Sequence, residues 1–335
     1  MLNEAREATR VVAAQLADTS RVEALAAQLA AHPPAVVLTV ARGSSYHAAA
    51  YFASLTMSRL GVPVASLPMS VATLQQAPLR VRDQLAIAFS QSGQSPDLVN
   101  TMAALREAGA RTVAAVNVLP SPLADACAHS LPLLAGPELS VAATKSYIAM
   151  LSLSAQIVAF WQRDAALVDA LHGLPGVLGQ AAALDWSPAV AALANVERMI
   201  VIGRGSGLAI AQEAALKLKE TSGIQAEAFS SAEVRHGPME LIDRDYPLLV
   251  FAPPGPEQTG LLQLAADMRA RGAAVLLAAP AGTSGATLPI ATSAQPALDP
   301  IAAILSFYVM AAELAVVRGR NPDTPRHLNK VTETH

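Results

Sequence analysis

Cysteine is almost absent from this 335-residue chain; Cys127 is the only one. A single thiol builds neither an intramolecular disulfide nor a cysteine-rich metal centre. Its setting, "PLADACAHS", carries no nucleophile context, so it reads as a small buried apolar residue. Charge is scarce as well: Asp, Glu, Lys and Arg make up 15% of the chain and the net charge is −3. No basic block or stripe argues for nucleic acid or an anionic membrane surface. The opening "MLNEAREATRVVAAQLA" mixes charges of both signs and has no continuous apolar core, unlike a secretory signal. No run approaches the roughly 18 apolar residues of a membrane span, and the stretch from Tyr246 to Ala252 has strand length. Glycine-rich nucleotide signatures are missing too, with no GxxxxGK[ST] and no GxGxxG in register. The expectation is a soluble, cytoplasmic protein with neither nucleic acid nor membrane as partner.

What is present is apolar: 53% of the residues are hydrophobic. Short apolar runs ending in small polar residues alternate with helical patterns. Examples are "AVVLTVARGSS" (35–45), "QLAIAFSQSG" (84–93), "RMIVIGRGSG" (198–207) and "YPLLVFAPPG" (246–255). Their hydrophobicity is continuous rather than alternating, as in strands covered on both faces. That predicts an α/β fold with parallel sheets between helices.

The pattern occurs twice. "VARGSSYHAAAYFASL" is similar to "IGRGSGLAIAQEAALKL", with Arg204 lying 162 residues after Arg42. Gly255 likewise lies 162 residues after Gly93. Two landmarks that keep one offset imply a duplicated unit. The expected division is an N-terminal helical segment (1–29), a first domain (30–165), a helical linker (166–194), a second domain (195–318) and a tail (319–335). Pro175 and Gly176 are expected to break the linker.

The repeats differ at one strand end. The first has "SQSGQSPD" there, the second "APPGPEQT". In open parallel sheets ligands bind at the carboxyl ends of strands. Ser95 suits an N-cap and Pro96 the first helical position, where its missing N–H costs nothing. Free N–H groups and the helix dipole at such a start attract an anion. Ser90, Gln91, Ser92 and Ser95 would add neutral donors around a small phosphorylated ligand, although taken alone the loop is equally a polar capped turn. Ser44 and Ser45, after Gly43 in "RGSSYHAA", begin the preceding helix and strengthen the phosphate reading, while His47 fits packing better than catalysis. In 212–243, Glu213, Lys217 and Glu220 fall on or near one helical face. They form either a solvated charge ladder or a functional cluster. His236, before Gly237 and Pro238, sits on a loop and is a better catalytic candidate than a helix-face histidine.

Together, "SQSGQSPD", "ELSVAATKSY", "EAALKLKETSGIQAEAFSSAEVRHGPMELID" and "PDTPRHLNKVTE" closely resemble the sugar-isomerase half of glucosamine-6-phosphate synthase, and more broadly the double sugar-isomerase (SIS) family. The resemblance covers nearly the whole chain in order. It implies two tandem SIS domains, each a five-stranded parallel sheet flanked by helices in a doubly wound, flavodoxin-like arrangement. It puts Ser45, Ser90, Gln91, Ser92 and Ser95 around phosphate and hydroxyls, and Val141 and Ala142 against the sugar through backbone groups. Glu220 would be the base moving a proton between C1 and C2, with Lys217 and Glu213 beside it. His236 would open the sugar ring from across a homodimer interface, and Lys330 would close over the substrate on the tail. Two departures stand out: Arg42 where the synthase has cysteine, and Asn329 where alanine is usual before the tail lysine. These 335 residues also contain no counterpart of the synthase's glutaminase part. The expectation is a glucosamine-6-phosphate deaminase needing no cofactor and no metal. Other sugar-phosphate isomerases, a fructosamine-6-phosphate deglycase and a non-catalytic sugar-phosphate sensor are the alternatives.

Overall fold

A computed structural model describes residues 1–330 and divides them into two compact units. The first unit comprises Arg10–Glu138, Lys145–Leu171 and the chain from Asn329; the second comprises Met1–Thr9, Leu139–Thr144 and His172–Leu328. Two N-terminal helices, α1 (Leu2–Ala17) and α2 (Ser20–Ala31), precede the sheets.

In the first unit the chain runs β1 (Val37–Val40), α3 (Gly43–Leu60), β2 (Val64–Ser66), α4 (Met69–Thr73), β3 (Leu85–Ser90), α5 (Pro96–Glu107), β4 (Arg111–Val116), α6 (Pro122–Ala126), β5 (His129–Pro132) and α7 (Lys145–Gln162). The strands are parallel, in spatial order β2-β1-β3-β4-β5. β1 and β3 are buried along their whole length, as continuous apolar runs require. Gly61 ends α3 in a left-handed cap, its N–H bonded back to the carbonyl of Met57. α7 is buried on nearly every side and packs against α2 and α3.

Around the second sheet run α8 (Ala165–Ala181), α9 (Ser187–Leu193), β6 (Arg198–Gly203), α10 (Ser206–Lys217), β7 (Gln225–Ser230), β8 (Pro247–Phe251), α11 (Gln258–Ala270), β9 (Ala274–Pro280), β10 (Leu288–Ile290) and α12 (Asp299–Val317). The order β7-β6-β8-β9-β10 repeats that of the first sheet. β3 starts at Leu85 and β8 at Pro247, α5 at Pro96 and α11 at Gln258, both 162 residues apart. Trp186, Phe251 and Phe307 stack in series at ring separations of 6.3 Å, and the Trp186 indole donates to the carbonyl of Pro289 at 2.7 Å.

Two sequence expectations need correction. Pro175 lies inside α8 and does not break it. Buried Leu167, Leu171, Leu174, Leu178 and Ala181 recur at helical spacing and hold the helix through a position that costs it a hydrogen bond. Among the described residues one helix is also long and apolar enough to cross a membrane: Pro296–Val317, whose apolar window is 83% buried. The search for an unbroken apolar run missed it, because Asp299 and Glu313 interrupt it. Its burial marks it as the core helix of the second unit.

Candidate active site

The doubly wound strand order places a switch point between β1 and β3, where their following helices leave on opposite faces. The residues after these two strands line a cavity of about 320 Å³, among them Arg42, Gly43, Ser45, Ser90, Gln91, Ser92, Ser95 and Asp97. Lys330 joins them from the tail. That volume is at the small end of ligand sites.

The loop is shaped from within. Gly93 adopts φ +66, and its N–H donates to the Ser90 hydroxyl at 2.9 Å. A Cβ at Gly93 would lie 2.5 Å from the Ser121 hydroxyl and 2.9 Å from a Val116 methyl, so only glycine fits. Ser95 occupies the N-cap and Pro96 the first helical position, but the Ser95 side chain makes no capping bond. Ser44 is half-buried and Asn329 exposed; neither is among the residues lining the cavity.

Two carboxylates in this unit escaped the sequence analysis. Asp97, its side chain 2% exposed, pairs with Arg42 at 2.6 Å. Glu138 is buried, accepts from the Ser146 N–H at 3.2 Å and its hydroxyl at 2.5 Å, and lies 3.4 Å from the Lys330 ammonium. It therefore caps α7 and tethers the tail lysine. The available signal was that α7 has no acidic residue in its own first turn.

In the second unit α10 widens into a π-turn at Leu218–Ser222, closed by Gly223 at φ +64. π-turns inside helices recur at functional sites. Here the turn carries Glu220. The Lys217 ammonium lies 3.4 Å from Glu213 and 2.5 Å from Glu220. The Tyr308 hydroxyl donates to Glu213 at 2.9 Å. Lys217 and Glu213 are sealed, whereas the Glu220 side chain is 20% exposed. Burial pulls the Lys217 pKa down, but the two carboxylates and their hydrogen bonds outweigh it and hold it above its ordinary value. The cluster is thus one fixed cation between two carboxylates, of which Glu220 can meet a ligand. The ladder is buried around Lys217 rather than a solvated face.

The remaining predicted residues are not gathered in these clusters. His236 is exposed on a 3-10 turn, Glu233–His236, before Gly237 at φ +141. Ala142 is buried and Val141 half-buried, and the Val141 N–H is spent on the carbonyl of Asp323 at 3.0 Å. Burial pushes the Cys127 thiol up to about 12, which removes it as a nucleophile near neutral pH.

The SIS domain profile matches residues 35–159 and 192–315, one match per sheet. The chain belongs to the SIS family. It is homologous to the isomerase half of glutamine–fructose-6-phosphate aminotransferase. The Halobacterium salinarum enzyme of that name is 35% identical over 315 residues, covering 87% of this chain and 50% of its own. The chain therefore spans about half the length of the curated relatives it matches. A Silicibacter pomeroyi protein provisionally named a phosphosugar isomerase superposes with a TM-score of 0.91 at 39% identity, covering 96% of this SIS chain and 99% of its own. The C-terminal domain of the Francisella tularensis aminotransferase shares the fold, with a TM-score of 0.86 at 23% identity and coverage of 97% and 98%.

Proposed function

We propose that this SIS chain is a sugar-phosphate aldose–ketose isomerase, and specifically a glucosamine-6-phosphate deaminase. The observation that carries the reading is the Glu213–Lys217–Glu220 cluster, in which one carboxylate is positioned by a buried lysine and left open to a ligand. Proton transfer between adjacent carbons needs such a fixed base. The hydroxyl-lined cavity at the β1/β3 switch point supports a phosphate grip, which supplies orientation.

In this reading His236, brought by a second copy of the chain, moves the ring-opening proton from O1 to O5. Glu220 takes the C2 proton while the C1 carbonyl oxygen gains one, giving an enolamine. The proton returns to C1 as the nitrogen loses one, giving the imine of fructose 6-phosphate. Water adds at C2 and ammonia leaves. The hydrolysis needs only water beyond the isomerisation groups. Lys217 and Lys330 stabilise negative charge on oxygen as it develops.

The test is purified protein with glucosamine 6-phosphate, followed by ammonia and fructose 6-phosphate release. Glu220→Gln is expected to lower kcat by about 10²–10⁴-fold while KM changes by less than about threefold. Wild-type turnover in that variant refutes the base assignment. Galactosamine 6-phosphate and a fructosamine 6-phosphate in the same assay separate the neighbouring substrates.

A further inference from the structure

The proposed mechanism leaves Arg42 unused, although it lines the cavity. Its surroundings are unusual for an anion site. Asp97 stands second in α5, at the helix end where an anion would be held, and its side chain is 2% exposed. A bare carboxylate there would repel a phosphate. Asp97 is not bare: its Oδ1 accepts the Leu98 N–H at 2.8 Å, and its Oδ2 takes both Nε and Nη2 of Arg42 at 2.6 Å. The arginine is therefore held along one edge by a buried anchor. Its side chain is 57% exposed, and Nη1 takes no part in the Asp97 pair. Arginine N–H groups form a planar fork that matches phosphate oxygens. The loop otherwise contributes neutral donors, Ser45, Ser90, Gln91, Ser92 and Ser95. The other cation lining the cavity, Lys330, is shared with Glu138 at 3.4 Å.

We propose that Arg42 is a specificity-determining residue that reads the charge of the substrate phosphate, with Asp97 as its positioning residue. The inference rests on the reading of this cavity as the phosphate grip. The neutral hydroxyls accept any tetrahedral oxyanion of the right size. The anchored guanidinium adds a preference for the dianion over the monoanion.

Inorganic phosphate is the probe, titrated calorimetrically into the full chain at pH 5.5 and pH 8, on either side of its second ionisation, which falls close to neutral pH. Wild-type protein is expected to bind more tightly at pH 8. Arg42→Gln is expected to lose about 10–100-fold in affinity at pH 8 and to lose the pH preference, the size of one charge-assisted contact. Asp97→Asn is expected to lose part of the preference, and Arg42→Lys to recover part of it. A purely structural ion pair would shift melting temperature without moving the pH preference. If wild-type and Arg42→Gln bind phosphate alike at both pH values, Arg42 has no such role and the phosphate grip stands without it. If wild-type protein binds neither phosphate nor glucosamine 6-phosphate, the grip itself is wrong and this inference falls with it.

Discussion

Replacing Lys217 by methionine tests whether the second unit depends on its buried charges. The side chain is 1% exposed and stands between Glu213, which is fully buried, and the partly exposed Glu220. Methionine preserves most of the volume and removes the charge. Glu220 can turn to water, but Glu213 cannot. Breaking a buried pair and leaving one charge behind costs about 3–5 kcal/mol. At roughly 2–4 °C per kcal/mol for a unit of this size, the melting point should fall by about 6–20 °C. The loss should depend on pH in a definite direction. In the wild type the Lys217 pKa is raised, so its contribution is complete at neutral pH and fades only as pH rises through that folded value. In the variant Glu213, buried and without the Lys217 charge beside it, takes up a proton more readily folded than unfolded. Stability should then rise as pH falls toward 5, narrowing the gap to wild type. Adding Glu213→Gln to Lys217→Met leaves no stranded charge and should recover most of the loss. Urea unfolding in a Trp161→Phe background leaves Trp186, in the same unit as α10, as the sole indole. A cost below about 1 kcal/mol with a pH profile parallel to wild type would refute the reasoning.

Asp299 predicts a second pH effect, of opposite origin. Its side chain is buried, Oδ1 accepts the Ser293 N–H at 2.6 Å and Oδ2 has no partner among the described residues. Burial pushes its carboxyl up to about 6 against the Ser293 hydrogen bonds. The folded chain thus holds that proton more tightly than the unfolded one, and stability should fall by up to about 3 kcal/mol as pH rises from 4 to 6; parallel slopes for wild type and Asp299→Asn over that window would sink the argument. Gly93→Ala should cost about 2–4 kcal/mol, combining a left-handed backbone with the collision against Ser121 and Val116. Equal denaturation midpoints for this variant and wild type would show that the loop relaxes freely.

The fold was legible because its signals are local or periodic. Continuous apolar strands announced parallel sheets, and the offset of 162 carried the duplication. The start of α5 at Pro96 follows from proline's fixed φ and missing N–H, although the Ser95 side chain makes no capping bond. What escaped depends on pairs brought together only by the fold. Arg42 and Asp97 are 55 residues apart and meet because β1 and β3 are neighbours. Glu138 and Lys330 are separated by 192 residues. The π-turn carrying Glu220 has no signature of composition, although the helical spacing of Glu213, Lys217 and Glu220 was already legible. Pro175 misled because packing against buried leucines overrode a local propensity.

The duplication also explains why the two sheets carry different chemistry. Counting 162 residues on from Ser95 gives Glu257, which stands at the N-cap of α11 as Ser95 stands at that of α5. Its carboxylate lies over Gly205 at the start of α10, where an added Cβ would come within 2.5 Å of it. The helix end that could take an external anion in the second repeat thus already has the chain's own carboxylate beside it. In the first repeat that end keeps hydroxyls and a cavity. The charged cluster of the second repeat lies at the other end of the same helix. There Lys217 sits in the last turn of α10, where the dipole favours a cation and disfavours the carboxylates beside it. Lysine offsets that penalty and places a fixed positive charge beside Glu220. In the proposed function one repeat would use a helix N-terminus for binding and the other a helix C-terminus for acid–base chemistry.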